Sequence, residues 1–295
     1  MRTVLSLFDG MSCGQIALNR AGIVYEKYYA SEIEKNAIKV TQHNYPNTIQ
    51  LGDINNWQNW PIEWDKVDLI FAGSPCQGFS FIGKQLAFDD PRSKLFFVFV
   101  DILNYAKKYN PNVKFLLENV RMKPKHEAII TDYMGVDCIK INSRLLTAQN
   151  RPRLYWCNWQ VKAPKDKRIF LSDILEPDAP ADSIISDSRK NWINKFMATK
   201  LNKYYTIDPI KAQCLTRRGD PGWNCTYVTR NGELTRLTPL EWERLQGVPD
   251  NYTKTASNAK RYEMLGNGWT IDVIAQLLST INDESERRIK QLKLF

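Results

Sequence analysis

The 295-residue sequence lacks several features that define common protein classes. It has no run of 18 or more apolar residues, which excludes a membrane-spanning helix. It has two histidines and six cysteines but no Cys-x-x-Cys pair, so we expect neither a structural zinc site nor a disulfide-stapled fold. The first apolar stretch is interrupted at Asp9 and is too short for a signal peptide, which predicts a cytoplasmic protein.

Positive charge exceeds negative charge, with 41 lysines and arginines against 32 acidic residues and a net charge of +9. The excess is densest in residues 161–236, which hold 14 basic and nine acidic side chains. A basic surplus favours a polyanionic partner, because cations neutralise phosphates and release counterions. Charge alone leaves open a protein that is basic without binding nucleic acid.

Strand-like and helix-like segments alternate through the first 160 residues. This alternation predicts an α/β fold with a doubly wound, mostly parallel sheet and a site at the carboxyl ends of the strands. The predicted strands are Thr3–Leu7, Tyr25–Ser31, Val67–Gly73, Lys114–Leu117, Ile139–Asn142 and Arg153–Trp159. One predicted helix follows the first strand and its turn and ends near Ala21. Two others span Glu34–Asn44 and Phe96–Tyr109.

The periodic pattern breaks from about Lys162. Residues 161–236 read as short polar and aromatic pieces with five prolines, which predicts an irregular insertion or small second domain. Thr238 followed by Pro239 and Glu241 then predicts a helix start with a capping box. Two further helices are expected near 258–265 and 270–281.

The loop after the first strand contains Asp9 and Gly10 but is neither a dinucleotide-binding Gly-x-Gly-x-x-Gly nor a phosphate-binding P-loop. Glu32, 22 residues after Gly10, stands where an acid binds ribose hydroxyls, and Asp53 follows the next strand. Together these residues suit an adenosyl ligand without a pyrophosphate, although two glycines after a strand are usually only a turn.

Three further loops contain residues suited to chemistry. Cys76 follows a proline just past a buried strand. Its loop is rich in glycine and is therefore a poor place for a cysteine that serves only as a buried core residue. Glu118 stands at the end of the next strand, where a partly desolvated carboxyl group can share a proton with a base nitrogen. Arg151 and Arg153 suit clamping an acid, a phosphate or a base oxygen. An ordinary loop acid and an exposed salt bridge are the alternatives for the last two.

In this order the motifs resemble those of the DNA (cytosine-5)-methyltransferase family, and the resemblance covers nearly the whole chain. The matching segments are Phe8-Asp9-Gly10, Pro75-Cys76-Gln77, Glu118-Asn119-Val120, Gln149-Asn150-Arg151-Pro152-Arg153, the stretch from Arg236 to Pro249, and Leu265-Gly266-Asn267-Gly268-Trp269. Met11 and Trp269 depart from the usual bacterial pattern. They make the chain look closer to animal de novo enzymes or small phage relatives.

The resemblance implies a Rossmann-like S-adenosylmethionine-dependent enzyme that flips a cytosine out of double-stranded DNA. Cys76 would attack carbon 6, and Glu118 would hold or protonate ring N3. Arg153 would bind the base oxygen and orient Glu118, with Arg151 nearby. The implied cofactor-binding residues are Phe8, Asp9, Gly10, Glu32, Ile33, Asp53, Ile54, Pro75, Asn267 and Trp269. The implied DNA-binding residues are Gln77, Ser80, Lys84 and Arg92, in a loop that closes over DNA, and Arg217 and Arg218, with Arg230 behind them.

By the same resemblance, residues 1–160 form the catalytic and cofactor-binding domain and residues 161–236 the target-recognition region. Residues 237–295 contribute helices that return to the catalytic domain. No metal, membrane or second cofactor is expected, and the chain is a monomer or a homodimer. An RNA (tRNA) cytosine-5 methyltransferase and a catalytically silent DNA-binding regulator remain as alternatives. The target sequence and the biological role cannot be read from the residues.

Overall fold

The computed structural model describes residues 1–74, 94–178, 180–197, 205–217 and 225–281. The strands in these ranges are β1 (Thr3–Leu7), β2 (Lys27–Ser31), β3 (Ile49–Gln50), β4 (Val67–Ala72), β5 (Lys114–Val120), β6 (Ile139–Asn142), β7 (Pro152–Cys157), β8 (Tyr205–Ile207), β9 (Cys225–Arg230) and β10 (Glu233–Arg236). The helices are α1 (Cys13–Arg20), α2 (Lys35–Asn44), α3 (Lys94–Tyr109), α4 (Pro124–Met134), α5 (Asp187–Met197), α6 (Pro239–Gln246), α7 (Asn258–Asn267) and α8 (Ile271–Leu278).

A seven-stranded sheet with the order β3-β2-β1-β4-β5-β7-β6 organises the first half of the chain. Strand β1 pairs in parallel with β2 on one side and β4 on the other, and β4 pairs in parallel with β5. Strand β7 runs antiparallel to β5. The chain winds in opposite directions on the two sides of β1 and β4, so a crevice for ligands forms at their carboxyl ends. The predicted α/β fold with a mainly parallel sheet is confirmed.

The sheet is buried on both faces because its central strands are almost wholly apolar. All five residues of β1 are buried, and so are all of β4 apart from Asp68. Helix α3 packs its apolar side into the same core, through residues such as Phe96, Phe99 and Leu103. In the described part of the chain, no helix is long and apolar enough to cross a membrane.

Helix α1 approaches the sheet so closely that only glycine fits at its second position. A Cβ atom on Gly14 would lie 2.6 Å from the hydroxyl of Tyr28 and 2.9 Å from the ring of Phe71. Both neighbours belong to strands of the sheet, β2 and β4, and cannot withdraw easily. The glycine therefore sets the spacing between α1 and the loop that precedes it.

Contacts divide the chain into two compact units. The first consists of Met1–Ile141, Pro152–Ala163 and Ile274–Phe295, and the second of Asn142–Arg151 and Pro164–Val273. The sequence-based division at residues 160 and 236 is a functional one and stays a prediction.

The second unit contains more regular structure than its sequence pattern indicates. Strands β8, β9 and β10 form a three-stranded sheet, and helix α5 packs on it around a small core that includes Ile193 and Tyr227. The sequence showed no periodicity here because the strands are only three to six residues long. The large aromatic side chain of Trp192 packs edge-on against Tyr205.

Helix α6 begins as the sequence predicts. The Thr238 hydroxyl accepts a hydrogen bond from the Glu241 amide at 3.2 Å, and the Glu241 carboxylate accepts one from the Thr238 amide at 2.9 Å. Strand β5, however, is longer than expected, because β7 pairs with it as far as Val120. Glu118 and Asn119 therefore lie within a strand rather than in the loop after it.

Candidate active site

The loop after β1 has an unusual backbone. Phe8, Gly10 and Ser12 all have positive φ, at 58°, 59° and 64°. Two of these are not glycines, and non-glycine residues in this conformation are uncommon and concentrate at functional sites. A Cβ on Gly10 would meet nothing within 4 Å, so this position faces open space. The loop thus presents its backbone to a ligand at the start of α1.

Glu32 ties this loop to the next connection. One of its carboxylate oxygens accepts a hydrogen bond from the Gly10 amide at 2.8 Å. The other accepts from the amides of Ile33 and Glu34, each at 2.8 Å, at the start of α2. Glu32 is only partly buried, so its carboxylate borders the loop while remaining open to solvent.

Asp53 follows the neighbouring strand β3, and the residue before it, Gly52, accepts a hydrogen bond from the Ser31 hydroxyl at the end of β2 at 2.8 Å. The Asp53 side chain is exposed and accepts a hydrogen bond from the Asn55 amide at 2.9 Å, which caps a short 3-10 helix. Ile33 is 71% exposed, whereas Ile54 is buried in the core. An exposed isoleucine between two acids offers an apolar surface for a flat ring.

Asp9 is buried beneath the loop. Its Oδ1 accepts a hydrogen bond from the Tyr28 hydroxyl at 2.8 Å, and its Oδ2 has no hydrogen-bond partner among the described residues. Burial raises the pKa of Asp9 from 3.8 to about 6, against the opposing effect of hydrogen bonds from Ser6, Ser12 and Tyr28. No sequence pattern predicts the hydrogen bond between Tyr28 and this carboxyl group.

The chemistry of these side chains fits S-adenosylmethionine better than a phosphate-bearing ligand. Asp9 and Glu32 border the loop and Asp53 follows the neighbouring strand β3, and negative charges in these positions repel a pyrophosphate. Carboxylates instead accept hydrogen bonds from ribose hydroxyls and an adenine amino group, and they favour a cationic sulfonium nearby.

A second group of residues follows the neighbouring strands β4 and β5. The Asn119 amide donates a hydrogen bond to the Ser74 hydroxyl at 3.1 Å, and both side chains are buried. Ser74 therefore fixes the end of β4 beside β5, two residues before Cys76 in the sequence. The predicted residues Pro75, Cys76, Gln77, Ser80, Lys84 and Arg92 lie outside the described part of the chain, as does Arg218.

Glu118 and Arg153 form an ion pair on adjacent strands. Arg153 Nε lies 3.0 Å from Glu118 Oε1, and each side chain is only 13% exposed. The antiparallel register places Val120 opposite Arg153 and Glu118 opposite Tyr155, so the pair is diagonal across β5 and β7. Arg153 also donates to the Pro152 carbonyl at 2.9 Å, which restricts its orientation. The predicted pairing of these two side chains is present.

Arg151 belongs to the second unit and is buried there. Its guanidinium donates hydrogen bonds to the carbonyls of Leu215, Gly266 and Gly268, at 2.8, 3.0 and 2.9 Å. These donors are directed at backbone carbonyls of the second unit, and the catalytic role expected for Arg151 stays a prediction. Of the predicted cofactor residues in this unit, Asn267 is exposed and Trp269 is partly buried.

The two described arginines of the predicted DNA-binding set differ sharply. Arg217 is 54% exposed and lies 2.9 Å from Glu263. Arg230 is 7% exposed and pairs with the fully buried Glu241 at 2.6 Å. The side chain of Arg230 is therefore held within the protein by the residue that caps α6, and its expected place behind Arg217 and Arg218 in DNA binding stays a prediction.

No group of three or more metal-ligating side chains occurs among the described residues. Histidine is scarce in the whole sequence.

Solved structures with a similar fold are methyltransferases. A methyltransferase of Entamoeba histolytica, EhMeth, aligns with a TM-score of 0.75 and 16% identity, covering 96% of this chain and 98% of that one. The Dnmt2 methyltransferase of S. pombe aligns with a TM-score of 0.70 and 19% identity, covering 96% and 99%. The fold is that of the S-adenosylmethionine-dependent methyltransferases.

The sequence identifies the family. The model of the C-5 cytosine-specific DNA methylases matches residues 2–134 and 155–283. The type II methyltransferase M.HhaI of Haemophilus parahaemolyticus is 26% identical over 94% of this chain and 93% of its own length. M1.ScrFI of Lactococcus lactis subsp. cremoris is 28% identical over 96% and 79%. The chain belongs to the C-5 cytosine-specific DNA methylase family, which confirms the resemblance drawn from its motifs.

Proposed function

We propose that this protein transfers a methyl group to carbon 5 of a cytosine flipped out of double-stranded DNA, with S-adenosylmethionine as methyl donor. The observation that carries the proposal is the buried Glu118–Arg153 ion pair, next to the strand end that leads to Cys76. Family membership supplies the reaction type, and this pair supplies a binding surface for a cytosine ring.

Carbon 5 of cytosine is a weak nucleophile and needs activation. In the proposed mechanism the Cys76 thiolate adds to carbon 6, and the electron pair released into the ring makes carbon 5 nucleophilic. Carbon 5 takes up the methyl group, then loses its proton, and the carbon–sulfur bond breaks to restore the ring and the thiolate. Extruding the base costs a few kcal/mol, which contacts in the protein must offset.

Glu118 is proposed to hold ring N3 of the flipped base. A proton shared between its carboxyl group and N3 stabilises the negative charge that enters the ring when Cys76 attacks. Arg153 holds the Glu118 carboxylate through its Nε, and its guanidinium is proposed to bind the base oxygen. The pair is largely removed from solvent, which strengthens both interactions.

The first loop is proposed to hold the methyl donor. Glu32 would accept hydrogen bonds from the ribose, Asp53 from the adenine amino group, and Ile33 would cover the adenine ring. Asn267 and Trp269, which belong to the second unit, are the remaining residues that we propose contact the methyl donor. When bound, S-adenosylmethionine supplies an electrophilic methyl group.

The covalent step gives the direct test. DNA containing 5-fluorocytosine at the target blocks the final elimination, because fluorine cannot leave as a proton does. In the presence of S-adenosylmethionine the protein should therefore migrate as a DNA adduct that resists denaturant. We expect Cys76→Ala to form no adduct and to transfer no methyl group, while calorimetry still detects binding of S-adenosylhomocysteine.

Cys13, Cys157 and Cys225 provide matched controls, because these buried thiols lie elsewhere in the fold. Their alanine variants should form the adduct normally. An adduct in Cys76→Ala would assign the nucleophile to another residue. Methyl transfer to transfer RNA but not to duplex DNA would replace the proposal by an RNA methyltransferase, and binding without any transfer would indicate a silent regulator. Mapping the methylated positions would give the target sequence.

A further inference from the structure

A buried cluster of polar side chains in the second unit joins three segments that are far apart in the sequence. Its members are Gln149, Arg151, Gln246 and Thr270, and all four are almost completely buried. We name this set the buried polar cluster. Charged and amide side chains are costly to bury unless they are hydrogen-bonded, so their contacts reveal what they hold in place.

The cluster grips the segment 215–217 on one side. The Leu215 amide donates to the Gln149 side-chain oxygen at 3.0 Å, and the Leu215 carbonyl accepts from Arg151 at 2.8 Å. Both backbone groups of this residue are therefore held by side chains of one short loop. Arg217, the described arginine predicted to contact bases, follows two residues later.

The same cluster grips the segment 265–268 on the other side. The Gln246 amide donates to the carbonyls of Leu265 at 2.7 Å and Gly268 at 3.1 Å. Arg151 donates to Gly266 and Gly268 through its other terminal nitrogen. Asn267 and Trp269, the predicted cofactor contacts, lie within and directly after the gripped residues.

Links within the cluster connect the two sides. The Gln246 side-chain oxygen accepts from the Gln149 amide at 3.1 Å and from the Thr270 hydroxyl at 2.8 Å. The Gln246 side chain therefore donates two hydrogen bonds through its amide nitrogen and accepts two through its oxygen. A shift of either gripped segment would leave buried polar groups without partners, at a cost of about 1–3 kcal/mol each.

The gripped segments also touch each other directly. A Cβ on Gly266 would lie 2.4 Å from the Thr216 carbonyl carbon and oxygen and 2.6 Å from the Arg217 nitrogen. The backbones are in contact here, and only glycine permits it. Arg217 is held further by Glu263, which lies on α7, the helix that ends at Asn267.

We propose that the buried polar cluster couples target recognition to cofactor binding, with Arg151 and Gln246 as positioning residues. The inference rests on the proposed function, since it assumes that 215–217 faces DNA and that 267–269 contacts the cofactor. Target DNA that fixes the first segment would fix the second through the cluster. By thermodynamic reciprocity, bound cofactor would then strengthen discrimination between target and non-target DNA by the same factor.

The test measures this coupling factor directly. The dissociation constant of S-adenosylhomocysteine is measured by calorimetry alone, with a saturating duplex carrying the mapped target, and with a scrambled duplex. For the parent protein we expect the target duplex to tighten binding about tenfold relative to the scrambled one. In Arg151→Lys and Gln246→Met this ratio should fall below about twofold, because the carbonyls of the two segments are no longer held together.

Arg244→Lys is the matched control. Arg244 also belongs to the second unit and donates to a backbone carbonyl, that of Ile174, at 3.0 Å, but it is not part of the cluster. Its variant should keep the parent ratio. Thr270→Val removes one hydroxyl without changing shape, so it should fold and give an intermediate ratio even if the larger changes unfold the protein.

The outcomes separate the two proposals. A merely structural role predicts weaker binding of S-adenosylhomocysteine with and without DNA, and an unchanged ratio in Thr270→Val and the other folded variants. That result, or a parent ratio near one, overturns the coupling. Failure of the parent protein to methylate DNA would instead overturn the proposed function, and the coupling with it.

Discussion

At the scale of single residues, Asp9 in the first loop carries a buried charge that lowers the stability of the folded protein. Its carboxyl group lies beneath the backbone that we propose holds the methyl donor. The groups that face it are the hydroxyls of Ser6, Ser12 and Tyr28 and the carboxylate of Glu32. The three hydroxyls stabilise the ionised form, but burial and the second carboxylate outweigh them, so its pKa rises to about 6.

The raised pKa predicts a pH dependence of stability. In the unfolded chain the pKa of Asp9 is 3.8, whereas in the folded protein it is about 6. At neutral pH the burial of its carboxylate therefore lowers the free energy of unfolding by about 3 kcal/mol. This cost disappears as the pH falls below both pKa values. Urea unfolding at pH 7 and pH 4 should therefore show the parent protein gaining about 2 kcal/mol relative to Asp9→Asn at the lower pH. Parallel stability curves for the two proteins would contradict the assignment.

At the scale of elements, helix α6 shows a cap whose contribution can be isolated. The Thr238 hydroxyl accepts from the Glu241 amide and donates to the Glu176 carboxylate. We expect Thr238→Ala to lower the free energy of unfolding by about 1–2 kcal/mol, measured by urea denaturation. Ser257→Ala is the control, because Ser257 occupies the same position on α7 but makes no capping hydrogen bond. Equal losses in both variants would show that the effect is not capping.

The same helix illustrates what the sequence could predict. A capping box depends on neighbours three residues apart, so Thr238 and Glu241 are recognisable without tertiary information. Strand β5 is the opposite case, because its end is set by pairing with β7, which comes more than thirty residues later. The candidate active-site residues Glu118 and Arg153 were predicted from motif order. The burial of Arg151 and Arg230 was not, since a sequence does not show which way an arginine points.

At the scale of the whole molecule, the surplus of positive charge favours a polyanionic partner but defines no contact. For the proposed DNA substrate, the net charge of +9 would give affinity for any sequence, and this part of the binding would weaken as salt rises. Discrimination between sequences must come from a few side chains that reach base edges. Among the described members of the predicted DNA-binding set, Arg217 is exposed whereas Arg230 is buried, so Arg217 is the one to test.

Arg217 is exposed, and its pairing with Glu263 is a surface ion pair worth about 0–1 kcal/mol, so exchanging that carboxylate for a guanine edge costs little. A lost base contact is worth about 1–3 kcal/mol, or roughly 5- to 150-fold in discrimination. We therefore expect Arg217→Ala to relax the methylation map while the salt dependence of DNA binding changes by no more than about one unit of log–log slope. Lys254→Ala, which removes another exposed cation of the second unit, should leave the map unchanged. An unaltered map in Arg217→Ala, with only weaker binding to all sequences, would make Arg217 a phosphate contact and would move target recognition to other residues.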